Sequence, residues 1–322
     1  MLGITLRDLA WLASAAPLSP PHYVLAVRKK RNGGKRLILM PKKRIKAVQR
    51  EIHRRILSRH APSPWAHGFA TGRSIRTNAA PHVGKEVVAK FDLREFFHSI
   101  TFPRVRGLLR QLGYAPDVAR TIALLCTFHP GRIRERMRPG GVSYADLAAA
   151  FRAPGRYGFR RILPQGAPTS PALANLAARG LDRRLAALAK RFRADYTRYA
   201  DDLTFSGGAE FHRDLPRFIP LLRSIVRDEG YFLAREKTRV IRRGNCQRVT
   251  GLVVNEKPNV PRGTYRELKA ILHNCVTKGP ESQNRAKVRD FRAHLAGRIA
   301  FVKSVHLRHG MRLEETFSRI RW

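Results

Sequence analysis

Acidic residues are scarce in this sequence. Its 322 residues include 23 Asp and Glu against 64 Lys and Arg, a formal net charge of +41. Chemistry on small neutral metabolites gives no reason for such a field. A polyanionic partner does, and nucleic acid is the commonest. A disordered basic tail is the plain alternative. Against it, 43% of the residues are hydrophobic, enough for a core, and the basic residues run along the whole chain. Cysteine is nearly missing: Cys126, Cys246 and Cys275 are the three, and none sits in a C-x-x-C pair. A zinc ribbon or disulfide framework is therefore excluded, and three interior thiols are expected. Long apolar runs are also missing. The best stretch, Ile122–Leu125, is interrupted at Thr127 and His129, so no membrane span and no membrane partner are expected. Residues 1–20 lack a basic start followed by a continuous apolar core, which predicts a cytoplasmic protein. The length fits one large domain or two to three small ones.

No internal repeat or low-complexity linker is visible. Residues 5–14 suit a short helix. Tyr23–Arg28 and Arg36–Met40 suit two strands joined by the turn signal Asn32-Gly33-Gly34. Ile45, Val48, Ile52 and Ile56 recur at helical spacing and predict a helix over 42–58. Val87–Asp92 reads as a largely buried strand ending in a carboxylate. Val105–Leu112 and Asp117–Cys126 read as helices, and residues 129–161 as an inserted basic loop. Ser170-Pro171 predicts a helix start with Ser170 as N-cap, and Leu173, Leu176, Leu181, Leu185, Leu188 and Phe192 its apolar face. Two strands, Tyr196–Ala200 and Leu203–Phe205, flank Asp201-Asp202. A helix over 214–228 and short strands near 231–233, 239–242 and 249–254 follow. Thr264-x-x-Glu267 predicts a capping box opening a helix with Leu268, Ile271, Leu272 and Cys275 on one face. A second helical pattern runs through Val288, Phe291, Leu295 and Ile299.

In a chain so short of acids, Asp201 and Asp202 lie side by side at a hairpin tip, and Asp92 ends a separate strand. An Asp-rich turn is the plain reading of an isolated pair. Here Tyr199-Ala200-Asp201-Asp202 matches the Y-x-D-D tetrapeptide of reverse transcriptases, with Phe91-Asp92 and Leu163-Pro164-Gln165-Gly166 upstream in that family's order. Nucleotidyl transfer explains the need for acids, since it uses two divalent ions about 3.5–4 Å apart. Mg²⁺ prefers a few carboxylates together with substrate phosphates.

The chain resembles a reverse transcriptase, and more narrowly a bacterial retron reverse transcriptase, over roughly residues 25–320. Arg36–Pro41 is similar to the fingers pattern R-x-I-x-x-P, Phe91–Phe97 to the first catalytic motif, Leu163–Pro171 (LPQGAPTSP) and Arg198–Ser206 (RYADDLTFS) to the next two. Asn78-Ala79-Ala80-Pro81-His82 fits the N-A-x-x-H motif of retron enzymes, Val249-Thr250-Gly251 their V-T-G motif, and Phe301–Val305 resembles the retron thumb. Residues 129–161 depart from the pattern by their length.

The resemblance implies an α+β fold, a right-hand polymerase with fingers, a palm of antiparallel sheet plus helices, and a helical thumb. Residues 1–22 would form an N-terminal helical segment. Residues 23–254 would form fingers and palm, with the palm core at about 86–102 and 164–254 and the basic insertion at 129–161. Residues 255–322 would form the thumb. It also implies an RNA-directed DNA polymerase that copies part of a cognate structured non-coding RNA. Priming from a guanosine 2′-OH would give a branched RNA–DNA hybrid (msDNA), in antiphage defence alongside an effector protein. Asp92, Asp201 and Asp202 would be catalytic and bind Mg²⁺, with Mn²⁺ as a substitute. Phe97, five residues after Asp92, would exclude a ribose 2′-OH. Gln165 would touch the nucleotide or template. Arg36, or Lys35 in its place, would clamp the dNTP triphosphate, and Lys237 would protonate pyrophosphate.

Asn78, His82, Val249, Thr250 and Gly251 are expected to recognise the cognate RNA, the plain reading being that they hold loops in place. Arg262, Tyr265, Arg266, Lys269, Lys303 and Arg308 are expected to follow a duplex backbone. The alternatives are a group II intron-like or diversity-generating reverse transcriptase, and a mainly structural RNA–DNA scaffold restraining an effector.

Overall fold

The computed structural model describes residues 4–14, 22–29, 35–133 and 160–322. The Asn32–Gly34 turn and residues 134–159 of the 129–161 insertion lie outside the described residues, as does the side chain of Arg36. Helix α1 (Leu6–Ala13) is followed by the antiparallel strands β1 (Tyr23–Lys29) and β2 (Lys35–Pro41) and by α2 (Lys43–Arg55). The apolar stripe of α2, Ile45, Val48 and Ile52, is buried as its spacing requires. Gln49 on that stripe is buried too, and its amide donates to the Tyr23 hydroxyl (2.7 Å) and the Leu125 carbonyl (2.8 Å). These two bonds satisfy the Gln49 NH2 group by ties to β1 and to the helix over residues 116–126, while its buried Oε1 has no partner among the described residues. The short helix α3 (Ile75–Ala79) is opened by a capping box between Ser74 and Thr77.

A four-stranded antiparallel sheet holds the centre. Its strands are β3 (Val87–Asp92), β4 (Ala194–Tyr199), β5 (Asp202–Gly207) and β6 (Arg239–Arg242), in the order β4-β5-β3-β6. Side chains alternate between its faces. Val87, Ala89 and Phe91 of β3 and Leu203 and Phe205 of β5 join the main core. Helices α4 (Phe102–Gln111), α5 (Pro116–Cys126), α6 (Ser170–Ala177), α7 (Arg179–Arg191) and α8 (Ala209–Asp228) contribute to the same core. The opposite face carries Lys90, Asp92, Asp202, Thr204 and Ser206. Strands β7 (Arg248–Val249) and β8 (Leu252–Val253) form a small hairpin, which shares a separate cluster with Ala79 of α3 and Val88 of β3. Helices α9 (Arg262–Lys278), α10 (Phe291–Val305) and α11 (Leu307–Ser318) have their own core of Leu268, Leu272, Cys275, Leu295, Ile299, Val302 and Leu313. The fold is α+β, as expected, and no helix among the described residues is long and apolar enough to cross a membrane.

Several local expectations give way. Ser170 is not an N-cap: Thr169 holds that position, and the Ser170 hydroxyl donates to the Pro164 carbonyl at 2.7 Å. The helix expected to run on through Phe192 is two helices, parted at Ala178. Helix α8 begins five residues before the expected 214 and contains Pro216 and Pro220. Both prolines are exposed, so the carbonyls they leave unbonded can meet water, while Phe211, Leu215, Phe218, Leu222 and Val226 bury the other face. Thr264 does not cap α9, which starts at Arg262 after Pro261. Glu267 instead pairs with Arg298 at 2.8 Å. Residues 249–254 are a hairpin rather than one strand. Cys126 and Cys275 are buried, but Cys246 is exposed in the connection between β6 and β7.

Candidate active site

The register of the central sheet sets the carboxylates. β3 and β5 pair antiparallel with Asp92 opposite Asp202, and β4 and β5 meet at a tight turn, with Tyr199 opposite Asp202. Asp201 lies in that turn, and its carbonyl accepts from the Leu93 amide at 2.8 Å. Two strand ends and one turn thus bring together acids from distant parts of the sequence.

Their electrostatics are uncomfortable without a cation. Burial, then the neighbouring charge of Asp92, pushes Asp201 up to about 6. Burial also raises Asp202, against the opposing pull of Lys90, whose ammonium sits 3.1 Å from Asp202 Oδ2. Lys237 lies in a single 3-10 turn, Arg235–Lys237, and its Nζ donates to Asp92 Oδ1 at 2.7 Å. Burial works against the Lys237 charge, but the hydrogen bond and charge of Asp92 outweigh it, and the ammonium titrates above an ordinary lysine. The turn is anchored by the Ala234 amide donating to the Asp92 carbonyl (2.8 Å). Among the described residues, no three His, Cys, Asp or Glu side chains are gathered as a ready-made metal cage. Lys90 and Lys237 stand where cationic charge is needed. The donors nevertheless fit a divalent ion: they are hard carboxylate oxygens, and such an ion completes its shell with water and substrate phosphates. Asp201 is the group whose raised affinity for a proton that charge would relieve.

Arg198, two residues before the turn, is a member that sequence reasoning missed. It is fully buried with its partner Asp182, to which it donates from Nε (2.7 Å) and NH2 (2.8 Å). Its third nitrogen reaches Asn175 Oδ1 (3.1 Å) and the Ala200 carbonyl (3.0 Å). Ala200 is in the left-handed region (φ 56°), so this bond helps hold a turn conformation that a non-glycine residue rarely adopts. Asp182 also accepts from the buried Tyr196 hydroxyl at 2.8 Å. A signal existed: Asp182 follows Leu181 on the apolar side of α7, an odd place for one of the few acids.

Phe97 is half-buried, its ring 5.6 Å from that of Phe96 and 6.2 Å from that of Phe69. Gln165 is half-buried, and its carbonyl accepts from the Leu39 amide of β2 at 2.9 Å.

The expected RNA-recognition residues are placed differently. Asn78 and His82 are buried to 1% and 0% exposure. His82 Nε2 lies 2.7 Å from Thr197 Oγ1, and Nδ1 2.6 Å from Ser206 Oγ. The Thr197 hydroxyl donates to the Asn78 carbonyl (3.4 Å), so it accepts from Nε2–H, and Ser206 donates to Nδ1. Burial, then nearby lysine and histidine charge, pulls the ring down to about 3, so it is neutral. The Asn78 amide donates to Thr250 Oγ1 at 3.5 Å, and Thr250 donates to the Ile75 carbonyl at 3.2 Å. Val249 is buried. Asn78, His82 and Val249, expected to recognise RNA, are buried, and they fasten α3 and the β7–β8 hairpin to the sheet. Gly251 stays exposed, in a two-residue turn where Thr250 (φ 46°) and Gly251 (φ 86°) both have the positive φ of a tight hairpin.

In the helical body Arg262, Arg266 and Lys269 are exposed on α9. Tyr265 stacks on His309 with ring centroids 4.4 Å apart, and Lys303 pairs with Glu314 at 2.7 Å. Arg308 is exposed on α11.

The ends of β3 and β5 carry opposed acids and the β4–β5 turn carries a third, and residues 27–259 match the family described as "Reverse transcriptase (RNA-dependent DNA polymerase)". The chain belongs to that family. Within it the chain sides with the bacterial retron reverse transcriptases. It is 46% identical over 292 residues to the retron Mx65 reverse transcriptase of Myxococcus xanthus (91% of this chain, 63% of the relative). It is 41% identical over 289 residues to the retron Mx162 enzyme of the same organism (85% and 57%). To the retron Ec86 reverse transcriptase of Escherichia coli it is 31% identical over 286 residues (88% and 76%). The chain thus spans about three-fifths of the length of the two Myxococcus relatives.

Proposed function

We propose that this chain is the RNA-directed DNA polymerase of a retron. The observation that carries the reading is the register placing Asp92 opposite Asp202, with the desolvated Asp201 in the turn between strands. The family implies a divalent-metal cofactor. We take it to be Mg²⁺, with Mn²⁺ as a substitute, held by Asp92 and Asp201 with Asp202 assisting. Such an ion supplies charge for the attacking hydroxyl and the leaving pyrophosphate. The protein's own part is positioning and proton supply. Lys237, kept protonated beside Asp92, is the donor to pyrophosphate. Phe97 stands at the sugar of the incoming dNTP, Gln165 contacts the nucleotide from the loop braced on β2, and Arg36 pairs with the triphosphate.

Residues 23–254 serve as fingers and palm and 255–322 as thumb, with Arg262, Arg266, Lys269 and Arg308 along the duplex backbone and Gly251 at the hairpin tip facing RNA. The substrate RNA is a cognate structured non-coding RNA, primed from a guanosine 2′-OH to give msDNA. The setting is the cytoplasm, in antiphage defence with an effector protein.

Sequencing the nucleic acid that co-purifies with the full chain tests this reading. A branched RNA–DNA hybrid, lost in Asp201→Asn while RNA is retained, is the expected result. Mixed cellular RNA, or Mg²⁺-dependent extension by Asp201→Asn, would overturn it.

A further inference from the structure

Phe69 combines three features that rarely coincide. It is a large aromatic residue with φ 58°, in the left-handed region. It is 54% exposed, so its ring gains little from burial. Its position is nonetheless fixed from both sides of the catalytic turn. The Arg198 amide donates to the Trp65 carbonyl and the His67 amide to the Arg198 carbonyl, both at 2.7 Å, so residues 65–67 run parallel to β4. Gly68 is then pressed against the turn: a Cβ there would fall 2.7 Å from the Ala200 nitrogen, so no other residue fits. Asn175, already bound to Arg198, donates to the Gly68 carbonyl at 2.9 Å. The residue next along is Phe69, and its ring meets Phe97.

Left-handed backbone at a bulky residue costs on the order of 1–3 kcal/mol and persists where the surroundings impose it. Among the described residues nothing in the packing of Phe69 repays that cost, because the ring is mostly in solvent and its one aromatic contact there is Phe97. The strain is spent on placing a ring against Phe97, one residue on from the glycine that packs on the acid turn.

We propose that Phe69 is a positioning residue for sugar selection: its ring braces Phe97 from the side of the catalytic turn and so holds the wall that meets the nucleotide's 2′ position. This inference rests on the reading of Phe97 as the residue facing the sugar. Without Phe69, the Phe97 ring gains room to tilt away, and a ribose is admitted.

The test is single-nucleotide incorporation by the full chain on a generic primer–template, comparing kcat/KM for a dNTP and the matching rNTP. Phe69→Gly is the informative variant, because glycine accepts the left-handed backbone and only the ring is lost. Discrimination is expected to fall about tenfold, mainly through a lower KM for the rNTP, with Phe69→Tyr restoring most of it. The double variant Phe69→Gly/Phe97→Ala should discriminate no worse than Phe97→Ala alone, since one residue acts through the other. Unchanged discrimination in Phe69→Gly, while Phe97→Ala loses it, would overturn the proposal and leave the Phe97 reading intact. Unchanged discrimination in Phe97→Ala would remove that reading itself. Additive losses in the double variant would also overturn bracing. Phe69→Asn, a second residue tolerant of this backbone, guards against misfolding. Loss of the fold in both would assign the ring a structural role and end the proposal.

Discussion

The Asn78 amide donates to the Thr250 hydroxyl across 3.5 Å, although 172 positions separate them, and this bond joins the N-A-x-x-H and V-T-G motifs into one fastening. Thr250 is β-branched and sits at φ 46°, so its ties to Asn78 and to the Ile75 carbonyl offset an unfavourable backbone. Thr250→Val keeps the branching and removes the bonds, and it should destabilise the protein by about 1–3 kcal/mol in urea melts. Thr250→Asn, suited to that backbone, should cost less. Asn78→Ala should cost less in the Thr250→Val background than in the wild type. Synthesis on the cognate RNA and on a generic primer–template should decline together. A selective loss on the cognate RNA at unchanged stability would return these residues to RNA recognition.

His82 makes a pH-dependent contribution of calculable sign. Its ring is held neutral, with its pKa lowered to about 3 by burial, whereas an exposed histidine titrates near 6.5. Between these values the unfolded chain binds a proton that the folded chain refuses. The contribution is therefore fully present above about pH 6.5 and falls as pH drops toward 3, by up to about 1.4 kcal/mol per unit. His82→Asn should be less stable than wild type at pH 7.5, and the gap should narrow toward pH 5. A gap independent of pH would show that the ring is not buried neutral.

Arg198 and Asp182 form an ion pair with no solvent exposure at either side chain. Removing one member leaves the other charged and unpaired in the interior, so Asp182→Ala should cost about 3–5 kcal/mol in a denaturant titration. Arg198 also holds the Ala200 carbonyl. In the fraction of Asp182→Asn that remains folded, kcat should therefore fall further than KM rises. Full turnover in that fraction would separate the pair from the geometry of the Ala200–Asp201 turn.

Lys237 offers the opposite profile. Its side chain is 59% exposed, and its pairing with Asp92 should be worth under about 1 kcal/mol. Lys237→Met should therefore melt close to wild type, yet lose about 10²–10⁴ in the single-turnover rate if the ammonium is the proton donor. A rate within a fewfold of wild type would reassign it as a counter-ion for Asp92 alone.

Much of this protein was decided locally, and the sequence alone shows it. Ile45, Val48 and Ile52 predict the buried face of α2 because a helix repeats every 3.6 residues, and β3 is legible because Val87, Val88, Ala89 and Phe91 are apolar around a single lysine. The three acids stand out because the chain has so few, and their neighbours in sequence mark the family. Other features depended on which surfaces meet. Helix α8 begins at Ala209 and runs through Pro216 and Pro220, because burial along its far face outweighs two missing donors. Asn78 and His82 read as free polar groups. Only the tertiary structure, bringing Thr197 and Ser206 to His82 and Thr250 to Asn78, shows that both side chains are bound in the interior. Phe69 gave no local sign of importance, and Arg198 only an indirect one, its partner acid on the apolar side of α7. A buried charge acquires its meaning from the Asp182 that docks on it, and a strained ring from the Phe97 it meets, and both partners arrive from other parts of the chain through tertiary packing.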